Sequence, residues 1–130
     1  MSAEENVATT RRIGEALNRR DYAAAAAELS PDFEVDDTDI PESTGADSLF
    51  EWMARWDEAW DDWRIEDLEI RPVDEDRVLS LLRVVARGKG SGIELARDDA
   101  AITEFRDGKV VRIAYYNDRA QALAAAGIRE

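Results

Sequence analysis

The chain contains neither cysteine nor histidine. Without cysteine there is no disulfide, no thiolate metal site and no cysteine nucleophile. Without histidine there is no Ser-His or Cys-His relay, no histidine-ligated zinc and no imidazole base. Basic residues are also scarce, 17 against 30 acidic ones, for a net charge of −13. Only two of those 17 are lysines, Lys89 and Lys109. Nucleic-acid backbones need clustered cations, so nucleic-acid binding is excluded. Anionic membrane surfaces are disfavoured for the same reason. No apolar run approaches the ~20 residues that cross a bilayer. The N-terminal Met1-Ser-Ala-Glu-Glu5 lacks the basic and apolar regions of a secretory signal. The expectation is a soluble, cytoplasmic, acidic protein. Its 130 residues suffice for one domain spanning 1–130, with a core that needs no covalent staple.

The periodicities that are present place helices first and strands later. Ser2 and Glu5 form a capping-box pattern, and Val7, Ile13, Ala16 and Leu17 give a helical apolar stripe to about Asn18. Asp21 is positioned to cap a second helix through Tyr22 and the run Ala23 to Ala27, ended by Ser30-Pro31. Phe33 to Asp36 alternates as a short strand, followed by a polar acidic loop from Asp37 to about Thr44 that contains Pro41. From about Ala46 to Asp61, Leu49, Met53, Trp56 and Trp60 recur at three- and four-residue steps, which predicts a third helix with one apolar face. Strands are then expected over Trp63–Val73, Arg77–Arg87, Ile93–Phe105 (bent near Asp98-Asp99) and Val110–Tyr116. Asp107-Gly108 is a hairpin signal, and Gly88, Gly90 and Gly92 mark a turn or a bulged bend. Asp118 and Gln121 repeat the capping-box pattern, and Gly127 sits where a left-handed helix cap belongs.

This order, with Glu15-Ala-Leu-Asn-Arg-Arg-Asp21, Ser30-Pro-Asp-Phe-Glu-Val-Asp-Asp37, Arg55-Trp-Asp-Glu-Ala-Trp-Asp61, Gly88-Lys-Gly-Ser-Gly92 and Asp107-Gly-Lys-Val-Val111 through Tyr116-Asn-Asp-Arg119, resembles the nuclear transport factor 2-like superfamily, and within it the SnoaL-like branch. The resemblance implies an α+β fold: a cone-shaped, curved mixed β-sheet wrapped around three N-terminal helices, with a short C-terminal helix. It implies a hydrophobic pocket between the concave sheet face and those helices, and a homodimer formed through the outer sheet face. Such folds host ketosteroid isomerase, polyketide cyclases, dehydratases, an epoxide hydrolase and non-catalytic binding modules, so function has to be read from the site.

Asp37, just after the first strand, matches the general base of the isomerase and cyclase types. A carboxyl group in an apolar pocket favours its neutral form and becomes a better base near neutrality. The competing reading places Asp37 in a solvated acidic loop with Asp36 and Asp39. The isomerase donors are missing: Ile13 stands at the position of its tyrosine and Ala101 at that of its second aspartate, so a true ketosteroid isomerase is excluded. The dehydratase histidine is absent, and the Asp-Arg-Asp set of an epoxide hydrolase cannot be assigned. Tyr115 and Asn117 share a strand face with Ile113, directed by the resemblance toward the cavity, and Tyr115 is the candidate donor to a developing enolate. The alternative for Tyr115 is a core or interface tyrosine. Arg83 points either into the cone, toward Asp37 or an acidic ligand, or outward, because both faces of its strand are apolar. Trp52 and Trp56 serve as an aromatic wall for a lipophilic ligand, or they pin the third helix to the sheet. Asp36, Asp37, Asp39 and Glu42 lack the glycine and distal glutamate of an EF-hand loop, so no metal is expected. The glycine segment lacks the spacing of a phosphate loop, so no cofactor is expected either. The readings that remain are a cofactor-free cyclase or isomerase acting on a lipophilic carbonyl compound, a non-catalytic binder of a small lipophilic molecule, and a dimeric interaction module whose cavity is closed by its own side chains.

Overall fold

A computed structural model describes residues 2–37 and 43–128 of the chain. Helices α1 (Ala3–Asn18) and α2 (Tyr22–Ala26) lead into β1 (Leu29–Asp36), and α3 (Ala46–Ala59) follows. The strands β2 (Trp60–Pro72), β3 (Arg77–Gly88), β4 (Glu94–Arg106) and β5 (Lys109–Tyr116) come next, and α4 (Arg119–Ala126) closes the chain. The sheet order is β1-β5-β4-β3-β2. Only β1 and β5 pair in parallel; the other neighbours are antiparallel. Register shifts between Asp67 and Glu69 and between Glu104 and Phe105 bend the sheet. The result is the mixed α+β architecture, with a curved open sheet, that the element order implies.

Local chemistry accounts for most element ends. The Ser2 hydroxyl accepts the Glu5 N–H at 3.1 Å, and the Asp21 carboxylate accepts that of Ala24 at 3.1 Å. The Asp118 carboxylate accepts the Ala120 N–H at 2.8 Å, and Gly127 adopts the left-handed conformation that ends α4. Asp107 and Gly108 both have positive φ, 52° and 80°, as a two-residue hairpin turn requires.

Three boundaries differ from the sequence expectation. Helix α2 ends at Ala26, although Ala27 keeps helical dihedrals and its N–H still donates to the Ala23 carbonyl; beyond it the strand edge takes over, with Lys109 Nζ donating to the Ala27 carbonyl and the Val110 N–H to that of Glu28. Strand β1 therefore starts at Leu29 and contains Pro31, which an edge strand tolerates. Helix α3 ends at Ala59, since Trp60 is already extended and paired with Gly88. The fourth strand does not bend at Asp98-Asp99; its ladder to β3 runs unbroken through both. Residues 38–42 of the expected acidic loop, with Asp39, Pro41 and Glu42, lie outside the described residues.

The two sheet faces are covered differently. Helices α1 to α3 pack over one face, around Phe33, Leu49, Met53, Trp63, Val78 and Val84. Helix α4 covers Leu79, Leu81, Ala100, Ile102 and Ala114 on the other. No helix among the described residues is long and apolar enough to cross a membrane.

The entry to α3 depends on Gly45. It has φ 66°, its N–H donates to the Phe33 carbonyl at 2.9 Å, and an added Cβ would lie 2.9 Å from the Pro31 carbonyl oxygen. Gly45→Ala combines a left-handed backbone with a clash against main chain. The expected loss is about 1–3 kcal/mol of folding stability, read by urea titration.

Candidate functional site

Alternation along two adjacent strands builds one end of the helix-covered face. On β4, Ala101 and Phe105 point into the main core, so Arg97 and Asp99 share that side. On β5, Ile113 and Tyr115 do the same. Tyr115 pairs with Ala101 across the ladder, which brings its hydroxyl toward the next inward residue of β4, Asp99.

Asp99 is fully buried, at 0% exposure. Three hydrogen bonds compensate that burial. Arg97 grips its carboxylate through two parallel bonds, Nε to Oδ1 at 2.8 Å and Nη2 to Oδ2 at 2.9 Å. The Tyr115 hydroxyl donates to Oδ2 at 2.6 Å. Two-pronged charge-assisted bonds of this kind are the strong ones. Arg97 itself remains 38% exposed.

Helix α3 supplies the opposite wall. Trp52 and Trp56 meet edge to face at 6.3 Å, and each meets the Tyr115 ring at 5.7 Å. Trp56 also meets Trp63 at 5.1 Å. The Trp52 indole N–H donates to Asp37 Oδ2 at 2.9 Å and so orients that carboxylate at the end of β1. Together Asp37, Trp52, Trp56, Arg97, Tyr115 and Asn117 border a cleft of about 200 Å³, which Arg55 and Trp60 also line. Asp37, Tyr115 and Asn117 also edge a wider groove of about 470 Å³.

The structure brings together Asp37, Trp52, Trp56, Tyr115 and Asn117, five of the residues singled out in the sequence. Four others lie elsewhere. Ile13, Ala101 and Ile113 are packed in the core. Arg83 takes the outer face: it is registered opposite Asp98 and donates to it at 2.8 Å, so it does not reach Asp37. Tyr115 lines the cleft, and the one proton of its phenol is donated to Asp99 in this structure. Trp52 and Trp56 pack the helix against the core and also line the cleft.

Arg97 and Asp99 escaped the sequence reading. The only signal was a positive and a negative residue two apart, which puts both on one strand face. The Arg-Asp pair shows one carboxylate on Arg97 among the described residues, where an epoxide-hydrolase set needs two. No cluster of three metal-ligating side chains occurs among the described residues.

A second anchored tyrosine holds the helices together. Asp57 accepts from the Tyr22 hydroxyl and the Trp63 indole, each at 2.9 Å. Burial, then the bond to Asp57, pushes the Tyr22 pKa up to about 12. Burial, then the bond to Asp99, raises that of Tyr115 far above its usual value near 10. For an acid that is neutral when protonated, a raised folded-state pKa favours the protonated native state. Stability from these bonds is complete below about pH 10 and is lost as pH climbs through the folded values. Absorbance at 295 nm should show Tyr22 and Tyr115 still largely protonated at about pH 11 in the native protein, and largely ionised there in urea.

The sequence model of the SnoaL-like domain matches residues 10–113, and the chain belongs to that family. Its fold is shared by solved structures of low identity. AclR from Streptomyces galilaeus, described as a putative hydroxylase, is 24% identical over 97% of this chain and 98% of its own, with a TM-score of 0.75. A putative polyketide cyclase from Xanthomonas campestris is 20% identical over 95% and 98%, with a TM-score of 0.69. An NTF2-like protein from Burkholderia pseudomallei is 21% identical over 95% and 97%, with a TM-score of 0.79. No curated protein matches the chain.

Proposed function

We propose that the chain is a cofactor-free acid–base enzyme of the cyclase or isomerase kind, acting on a small lipophilic carbonyl compound with Asp37 as the base. The observation that supports this most is the position of Asp37. Its carboxylate is oriented by Trp52 at the edge of an aromatic-walled cleft that also presents Asn117 and Arg97. A carbonyl compound seated against the indoles would place an adjacent C–H at Asp37. The proton passes to the carboxylate, the C–H electron pair moves into the carbonyl, and the oxygen takes up negative charge. The Asn117 amide, on the same cleft, is a donor for that oxygen. The polyketide cyclase and hydroxylase descriptions of structural relatives agree with chemistry on carbonyl-rich substrates.

The cleft is small, which favours compounds of one or two rings over a tetracycle. The proposal includes a homodimer through the outer sheet face, where Arg83 and Asp98 remain exposed beside the ground covered by α4. The test is a panel of one- and two-ring ketones and β-dicarbonyl compounds incubated with the protein in D₂O. Deuterium uptake at the carbon beside the carbonyl, followed by NMR, is expected for at least one class. Binding without exchange across the whole panel would instead favour a non-catalytic binding protein.

A further inference from the structure

We propose that Arg97 is an anion-recognition group and that the compound bound in the cleft is a planar aromatic ring system carrying an ionised acidic oxygen. The inference rests on the cleft being the ligand site and adds a substrate class to it. The argument begins with the cost of Asp99. A fully buried carboxylate is expensive to desolvate, and an apolar residue of similar volume would serve a core as well or better. Packing does not demand the pair, so its use is better sought in what it holds in place.

What it holds is a guanidinium. Asp99 engages two of the five N–H donors of Arg97, one on Nε and one on Nη2. The fork is thereby locked in one orientation, and the side chain stays 38% exposed on the cleft wall. Holding a charged donor rigid before the ligand arrives lowers the entropic cost of binding. Tyr115 completes the clamp from the other strand and presents its ring to the same space. Among the described residues, the cleft lining also carries a second guanidinium, Arg55, and the carboxylate of Asp37. The walls are indole and phenol rings, which receive a flat aromatic by offset or edge-to-face contact. A fixed planar fork beside flat apolar walls matches an aromatic carboxylate or an ionised phenol.

The experiment compares 2-naphthoate with its uncharged amide, 2-naphthamide, by titration calorimetry at low salt. The expected result is at least tenfold tighter binding of the carboxylate, shrinking as salt is raised. The double variant R97Q/D99N replaces both charges with amides and avoids stranding either one. It should bind acid and amide equally, with circular dichroism reporting the fold. If that variant does not fold, the acid–amide ratio and its salt dependence in the native protein still decide the matter. Equal affinity for the two probes, no binding of either, or an undiminished acid preference in a folded double variant would each overturn the proposal. Neither probe has an enolisable C–H, so the result is independent of catalysis. Acid selectivity without deuterium exchange on any ketone would retain the anion site and remove the acid–base function.

Discussion

Asp99→Ala is expected to cost about 3 kcal/mol or more of folding stability, among the largest single losses available outside the apolar core. The substitution removes the acceptor of three hydrogen bonds and leaves the Arg97 charge and the Tyr115 hydroxyl without it. Breaking a buried ion pair from one side costs roughly 3–5 kcal/mol, because the surviving charge is uncompensated. Here the lower end applies, since Arg97 is partly exposed and water can reach it. The midpoint of thermal unfolding should fall by roughly 10 °C for a domain of this size. Replacing Arg97 and Asp99 together by apolar residues of similar volume should recover most of that loss while abolishing anion selectivity. A loss below about 1 kcal/mol for Asp99→Ala would mean that the pair is not a structural anchor. The cleft would then lack the rigid guanidinium assigned to it.

The parts of this molecule written in local chemistry were legible in the sequence, and the parts set by long-range register were not. Ser2, Asp21, Asp118 and Gly127 declare helix ends because each satisfies nearby backbone groups. The Asp107-Gly108 hairpin is similarly self-contained. The early start of β1 at Leu29 was not legible because the groups that meet it, Lys109 and Val110, lie more than 80 residues away in the chain, where they bond the Ala27 and Glu28 carbonyls. Arg83 had no readable face, since apolar residues flank it on both sides of β3. Its direction follows from pairing with Asp98 across the Gly88–Gly92 loop.

The candidate site divides in the same way. Asp37, the indoles of α3, Tyr115 and Asn117 stood out by residue type and position. Arg97 and Asp99 sit in an Arg-Asp-Asp run inside the expected fourth strand, where the sequence suggested only a bend. Only the antiparallel pairing of β4 with β5 puts Asp99 under the Tyr115 hydroxyl. That pairing is what engages the Tyr115 proton and makes Arg97 a fixed feature of the cleft.

Asp37→Asn carries the other large effect. The amide keeps the size of the side chain and can still accept from the Trp52 indole, so fold and ligand affinity should change little. What disappears is the ability to take a proton. Loss of a positioned general base costs typically 10²- to 10⁴-fold in rate. For any ketone that the native protein exchanges, the variant should slow deuterium uptake by that factor while its Kd stays within a fewfold of the native value. Asp99→Asn should act differently, weakening binding of acidic ligands more than it slows exchange of neutral ones.

The most direct measurement is the rate of deuterium uptake beside the carbonyl of the best ketone, taken for the native protein and Asp37→Asn under identical conditions with binding measured in parallel. Exchange by the native protein with a loss of at least 100-fold in the variant, at nearly unchanged affinity, is the result the account predicts. Equal exchange rates in the two proteins would contradict it and would place the base elsewhere.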